Sequence, residues 1–181
     1  MNGTFLGGEG GQSDLFICVW EKVLKPLDFS RIVELGTWNG NFSIYFALWC
    51  QRRKAKFYTF DMLDWKECHN TKEDFSDAIK FKKAFLKGSF TAGSVLDGPL
   101  VEYIQYLVGL PGPTVLFCDN GGKRAEFDLY VPYLKDGDIV AVHDWQREIG
   151  PVDTYKKYDY VNQIHKDLTE KERQLAFFTI G

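Results

Sequence analysis

"RIVELGTWNGNF", Arg31 to Phe42, climbs from β-branched residues and leucine to an acid and then breaks into glycines. The stretch that follows, "SIYFALWCQRRK" (43–54), has a helical pattern, and "KFYTFDML" (56–63) reads as a second strand. A strand, a glycine turn, a helix and another strand make one crossover unit of a parallel sheet, because parallel neighbours cannot be joined by a tight hairpin.

Outward from this unit the alternation continues. Upstream, Ser13 and Asp14 cap a helix over about 14–25 that Pro26 ends. Downstream, residues 63–83 are polar and helical in pattern, with Trp65, Phe75, Ile79 and Phe81 facing inward, and "AFLKGSF" (84–90) is a weak third strand. A helix starts near Pro99, since proline is tolerated in a first turn. "TVLFCD" (114–119) is the fourth strand, "RAEFDLYVPYL" (124–134) a helix interrupted near Pro132, and "DIVAVHDW" (138–145) the fifth strand. Asp153 to Thr169 reads as helix and "LAFFTI" (175–180) as a last strand. The expected fold is α/β, a three-layer doubly wound, mostly parallel sheet in a single domain over 1–181, with 1–13 a glycine-rich leading loop.

Composition bounds the function. A chain of 181 residues that is 45% hydrophobic supplies one sizeable core, so it is not a disordered tail. Its net charge is -3 and its lysines and arginines are scattered, which argues against nucleic acid as a partner. No apolar run approaches the roughly 18 residues of a membrane span, and Met1 to Gly11 lacks the plan of a signal peptide, so a cytoplasmic protein with no membrane partner is expected. Cys18, Cys50, Cys68 and Cys118 show no paired spacing and read as free thiols, the first, second and last buried.

Open parallel sheets bind ligands beyond the carboxyl ends of their strands, where the winding reverses. There, Gly36 can take backbone angles closed to other residues, and Gly40 lets the next helix approach a ligand. A pyrophosphate asks for GxGxxG, but Trp38 stands where the second glycine belongs. Glu34 adds a charge that would repel phosphate and suit an ammonium. Asp61 ends the second strand, where a carboxylate can accept both ribose hydroxyls. Ammonium, carboxylate and ribose together describe S-adenosylmethionine. Taken singly, the glycines make a plain turn and Asp61 a helix cap.

On these residues the sequence resembles class I S-adenosylmethionine-dependent methyltransferases. "VELGTWNG" (33–40) is similar to the ELGxxxG form of catechol O-methyltransferase. "GTFLGGEGGQSDLFICVWEKVLKPLDFSRIVELGT" (3–37) and "FCDNGGKRAEFDLYVPYLKDGDIVAVHDW" (117–145) resemble the cephalosporin hydroxylase and rhamnosyl O-methyltransferase group. The resemblance covers about four-fifths of the chain by pattern. It implies a Rossmann-like methyltransferase fold, transfer of a methyl group to a hydroxyl of a small molecule or sugar, and cofactor contacts at Glu34, Gly36, Thr37, Gly40, Asp61, Met62, Ser89 and Asp119. Relatives carry an acid against adenine near the end of the third strand; here Ser89 and Phe90 stand there, so adenine would rest on them or on backbone groups.

A second constellation lies at the ends of the fourth and fifth strands, Asp119 in "LFCDNGGK" (116–123) and Asp144 in "AVHDW" (141–145). Neighbouring strands bring both carboxylates to one edge. With Asn120 or His143 they form an oxygen-rich pocket for Mg2+ or another divalent cation. The resemblance makes Lys123 a catalytic base, with His143 the competing base. The blander readings are strand-end caps for the two acids, a surface charge for Lys123 and a hydrogen-bonded strand residue for His143. Trp38, Trp65 and Trp145 either line an acceptor pocket or pack; His69 and His165 receive no role.

The leading expectation is therefore an enzyme. A non-catalytic S-adenosylmethionine-binding or scaffold protein of the same fold is the alternative. An oxygen-activating iron enzyme lacks its histidine-rich ligand set here. So short a chain leaves little to cap the acceptor site, which is either open or closed by a second subunit in a homo-oligomer.

Overall fold

The structure is a computed structural model that describes residues 14–37, 40–62, 88–172 and 174–181. Its elements are α1 (Asp14–Leu24), β1 (Arg31–Leu35), α2 (Asn41–Arg53), β2 (Lys56–Asp61), β3 (Phe90–Ala92), α3 (Pro99–Gly109), β4 (Thr114–Cys118), α4 (Lys123–Tyr130), β5 (Ile139–His143), β6 (Val161–Ile164), α5 (Lys166–Glu172) and β7 (Leu175–Ile180). Short 3-10 turns at Val131–Tyr133 and Pro151–Asp153 complete the set. Expectations for Trp38, Trp65, Cys68, His69 and the 63–83 helix lie outside the described residues.

One seven-stranded sheet has the order β3-β2-β1-β4-β5-β7-β6. Strands β1 to β5 are parallel, and β7 runs antiparallel between β5 and β6. The order reverses between β1 and β4, which are buried along their whole length because helices cover both faces.

Side chains alternate between two cores, as the pleat of a strand requires. Val33, Leu35, Leu116, Cys118, Val140 and Val142 join the face covered by α3 and α4. Ile32, Val115, Phe117, Ile139 and Ala141 join the face covered by α1, α2 and α5. On that second face Trp20 of α1 meets Phe46, Phe117 and Phe177 edge-on at 4.7, 5.1 and 5.0 Å. Such pairs add to the area buried and fix how α1 and α2 seat on the sheet.

Arg31 clamps the opposite, amino edge. Its buried guanidinium donates to the carbonyls of Leu110, Pro111 and Gly112 and, at 2.7 Å, to Thr114 Oγ1. The turn between α3 and β4 is thereby held without secondary structure of its own.

Three expectations are corrected. Of the expected third strand over 84–90, residues 84–87 lie outside the described residues; Gly88, with φ 86°, and Ser89 form a turn, and strand β3 is Phe90–Ala92, paired with Thr59 to Asp61. The far edge has one more strand than expected: within Asp153 to Thr169 lie the last residue of a 3-10 turn, strand β6 and the start of α5, not one helix. Asn162 and Gln163 look polar enough for a helix, but β6 is an edge strand whose outer side faces solvent. Cys18 is exposed, whereas Cys50 and Cys118 are buried as expected. No helix among the described residues is long and apolar enough to cross a membrane.

Candidate active site

Strand register lines up the carboxyl edge. Leu35 pairs with Phe60 on one side and Cys118 on the other, and Cys118 pairs with Val142. The next residues along therefore form one row, Asp61, Gly36, Asp119 and His143, across the point where the winding reverses. Backbone bonds from Gly36 N to Phe60 O and from Asp119 N to Leu35 O, each 2.8 Å, carry the ladder into that row.

Gly36 is required by contact between chain segments. Its φ is 98°, and a Cβ there would lie 2.4 Å from the carbonyl oxygen of Asp119. The turn after β1 thus rests directly on the end of β4. Gly40 caps α2 with φ 73° and offers no side-chain acceptor, and the first turn of α2 carries no acid. Leading N–H groups of a helix with such a cap suit an anion.

Beneath the turn runs a relay of hydroxyls. Thr59 donates to Glu34 Oε2 at 2.6 Å, and Ser43 of α2 donates to the same oxygen at 2.5 Å. Since Thr59 has one hydroxyl hydrogen, the 2.6 Å contact with Thr37 Oγ1 must be donated by Thr37. Above the relay, the Thr37 backbone N–H donates to Asp61 Oδ2 at 2.8 Å.

This placement changes the reading of Glu34. Its side chain lies on the same face of β1 as Ile32, toward α2, and is 2% exposed, with Oε2 taken by Ser43 and Thr59. Burial pushes its carboxyl up to about 8, against the hydrogen bonds from Ser43 and Thr59 that pull it down. A largely neutral acid ties the first turn of α2 to the two central strands. Thr59, its register partner on β2, was the signal in the sequence.

Asp61 ends β2 as expected and Met62 follows it, half exposed. Ser89 does not end the third strand; it precedes β3, and its carbonyl accepts the Thr59 N–H at 2.8 Å. The β3 residue level with Asp61 is Ala92.

At the other end of the row, His143 Nδ1 lies 2.8 Å from Asp119 Oδ1 and 3.6 Å from Asp144 Oδ2. Lys123, the first residue of α4, sends its ammonium to within 3.1 Å of Asp144, 3.0 Å of Glu148 and 3.7 Å of Asp119. Burial alone would lower the pKa of Lys123, but the charge of Asp119 and the hydrogen bonds to Glu148 and Asp144 raise it above the ordinary lysine range. For His143 burial works the same way and is overcome by the hydrogen bond and charge of Asp119. Both shifts favour the protonated form, which runs against a role as base, since a base must be neutral.

Asp119, His143 and Asp144 each offer a ligand atom within 4.8 Å of the others, a set that could hold a metal ion. His143 thus joins the two expected acids, and Asn120 follows Asp119 on the loop. Glu126 carried no signal in the sequence. Fully buried on α4, it accepts the Gly122 N–H at 3.1 Å and underpins the loop that carries Asp119; burial pushes its carboxyl up to about 8.

The same architecture occurs in solved methyltransferase structures. CmcI with Mg-SAM aligns at a TM-score of 0.65 and 14% identity, covering 99% of this chain and 76% of that one. CmcI with SAH gives 0.62 at 14% identity, over 98% and 82% of the two chains. CalS11 without ligand, a TDP-rhamnose 3'-O-methyltransferase of calicheamicin biosynthesis, gives 0.58 at 16%, over 93% and 79%. This chain has their fold. No protein-family model and no curated protein matches it.

Proposed function

We propose that this chain is an S-adenosylmethionine-dependent O-methyltransferase acting on a hydroxyl of a small molecule or sugar, with Mg2+ or another divalent cation at the Asp119 cluster. The observation that carries this reading is the row Asp61, Gly36, Asp119, His143 on the carboxyl edge, which sets a nucleoside-type acid beside a charged cluster suited to a hydroxyl. The likeness in fold to CmcI with Mg-SAM and to the sugar methyltransferase CalS11 supports it.

The residues fit both groups. The α2 N-terminus, with Gly40 as its cap, would hold the carboxylate of the cofactor, and Asp61 its ribose. A carboxylate oxygen accepts more than one hydrogen bond, so holding Thr37 and receiving hydroxyls are compatible. The carboxylates of Asp119 and Asp144 would suit Mg2+ or Mn2+, which prefer oxygen ligands, with His143 holding the Asp119 carboxylate at 2.8 Å. When bound, the cofactor supplies a methyl group on a sulfonium and the ion lowers the pKa of a hydroxyl it binds. Lys123 and His143 hold the carboxylates of Asp119 and Asp144 in place at the strand ends. Among the groups of the cluster, the carboxylates of Asp119, Asp144 and Glu148 are those able to take its proton.

The test is turnover of methyl-labelled S-adenosylmethionine with a panel of catechols and nucleotide-linked deoxysugars, with Mg2+ and with a chelator. Label transferred to a hydroxyl supports the reading; no transfer, together with no S-adenosylhomocysteine binding, contradicts it.

A further inference from the structure

Lys123 is the least exposed member of the charged cluster, its side chain 3% exposed against 18% for Asp119 and 16% for Asp144. An ammonium buried to form a simple ion pair needs one carboxylate. This one reaches three, and two of them, Asp119 and Asp144, are the oxygen donors of the group that could hold a metal. The third, Glu148, lies outside that group, 3.0 Å from the same Nζ. The other bases nearby do not fill this place: Arg147 meets Asp144 at 3.7 Å from a side chain 77% exposed, and Arg124 points to Asp153 and the Glu148 carbonyl.

A divalent ion and an ammonium that share the same carboxylates repel strongly in a half-buried site. They cannot both draw on the same two carboxylates at full strength. The geometry points to Lys123 Nζ as a tethered competitor for the divalent-ion position: the ammonium neutralises Asp119 and Asp144 while no ion is bound, and an arriving ion takes those carboxylates and leaves the ammonium to Glu148. This rests on the proposed reading of the cluster as a cation site and departs from the expectation that Lys123 is a base. The affinity of the site for metal is set by a residue that is not a ligand.

The experiment is Mn2+ binding, followed by electron paramagnetic resonance, to the wild type, Lys123→Met, Lys123→Gln and Arg124→Met. Removing the competing charge raises Mn2+ affinity roughly tenfold or more in both Lys123 variants, whereas Arg124→Met stays within about threefold of the wild type. Either Lys123 variant, folded by circular dichroism, binding Mn2+ no more tightly than the wild type overturns the inference. So does an equal gain in Arg124→Met, which would reduce the effect to net charge. Independently of any variant, the Lys123 13Cε resonance of the wild type shifts on addition of Mg2+, and an unmoved resonance at saturation overturns it. S-adenosylhomocysteine titration of the same samples reads the nucleoside site separately, so failure of the functional reading is told apart from failure of this one.

Discussion

The backbone N–H of Thr37 donates to Oδ2 of Asp61 across 2.8 Å, so the turn that follows β1 is held by the acid that ends β2. Under it the Thr37 hydroxyl leans on Thr59, and Thr59 on Glu34. The turn and the acid are therefore one mechanical unit. Thr59→Val keeps the shape of the side chain, but it leaves the Thr37 hydroxyl without its acceptor and Glu34 with Ser43 alone. Urea unfolding at pH 7 is expected to show a loss of about 1–3 kcal/mol; no loss would mean that the relay contributes nothing to the turn.

Glu34 also gives the fold a pH dependence of definite sign. Its carboxyl sits at about 8 in the folded chain and near 4.5 when unfolded, so between those values the unfolded state releases a proton that the folded state keeps. Its contribution to stability is complete below pH 4.5 and is lost as the pH rises toward 8, by about 1.4 kcal/mol per pH unit for one proton. Glu34→Gln, whose amide oxygen still accepts both hydroxyls, removes that slope. Thermal melts from pH 5 to pH 8, steps chosen within about that window, are expected to run flatter in the variant, and parallel curves would contradict the buried neutral acid.

Gly36→Ala tests the contact between the turn and β4. The new methyl would meet the Asp119 carbonyl at 2.4 Å, a backbone group that cannot rotate away, at a φ of 98° that side chains avoid. A loss of about 3 kcal/mol or more is expected by denaturant unfolding. A near-neutral substitution would show that the turn sits further from β4 than described.

Most of the fold was legible because the central strands are buried on both faces and read as short runs dominated by β-branched and apolar residues, "RIVEL" and "TVLFC" among them. The misreadings fall at the sheet's margins. Strand β3 has three residues and β6 is half solvated, so neither carries a clear period of two. At the site, the acids were found because they end strands. What each acid does was not, since Glu34 faces a helix or a ligand according to strand parity and the position of Ser43. The pairing of His143 with Asp119 depends on the register of β4 against β5, which the residues alone do not state.

Asp144→Asn separates chemistry from cofactor binding. The substitution removes a carboxylate from the cluster while leaving Asp61 and the turn after β1 untouched. Turnover is expected to fall about a hundredfold, in line with loss of a group that orients or deprotonates the acceptor, while S-adenosylhomocysteine affinity moves by less than about threefold. Equal losses in both would place Asp144 in the nucleoside site instead.

Calorimetric titration with S-adenosylhomocysteine, on the wild type and on Asp61→Ala, bears most directly on the claim that a sulfonium nucleoside occupies the carboxyl edge beside Gly36. The wild type is expected to bind one equivalent per chain and the variant to bind at least about thirtyfold more weakly, the worth of charge-assisted hydrogen bonds to two hydroxyls. Absence of binding to the folded wild type, or equal affinity in Asp61→Ala, would contradict the account.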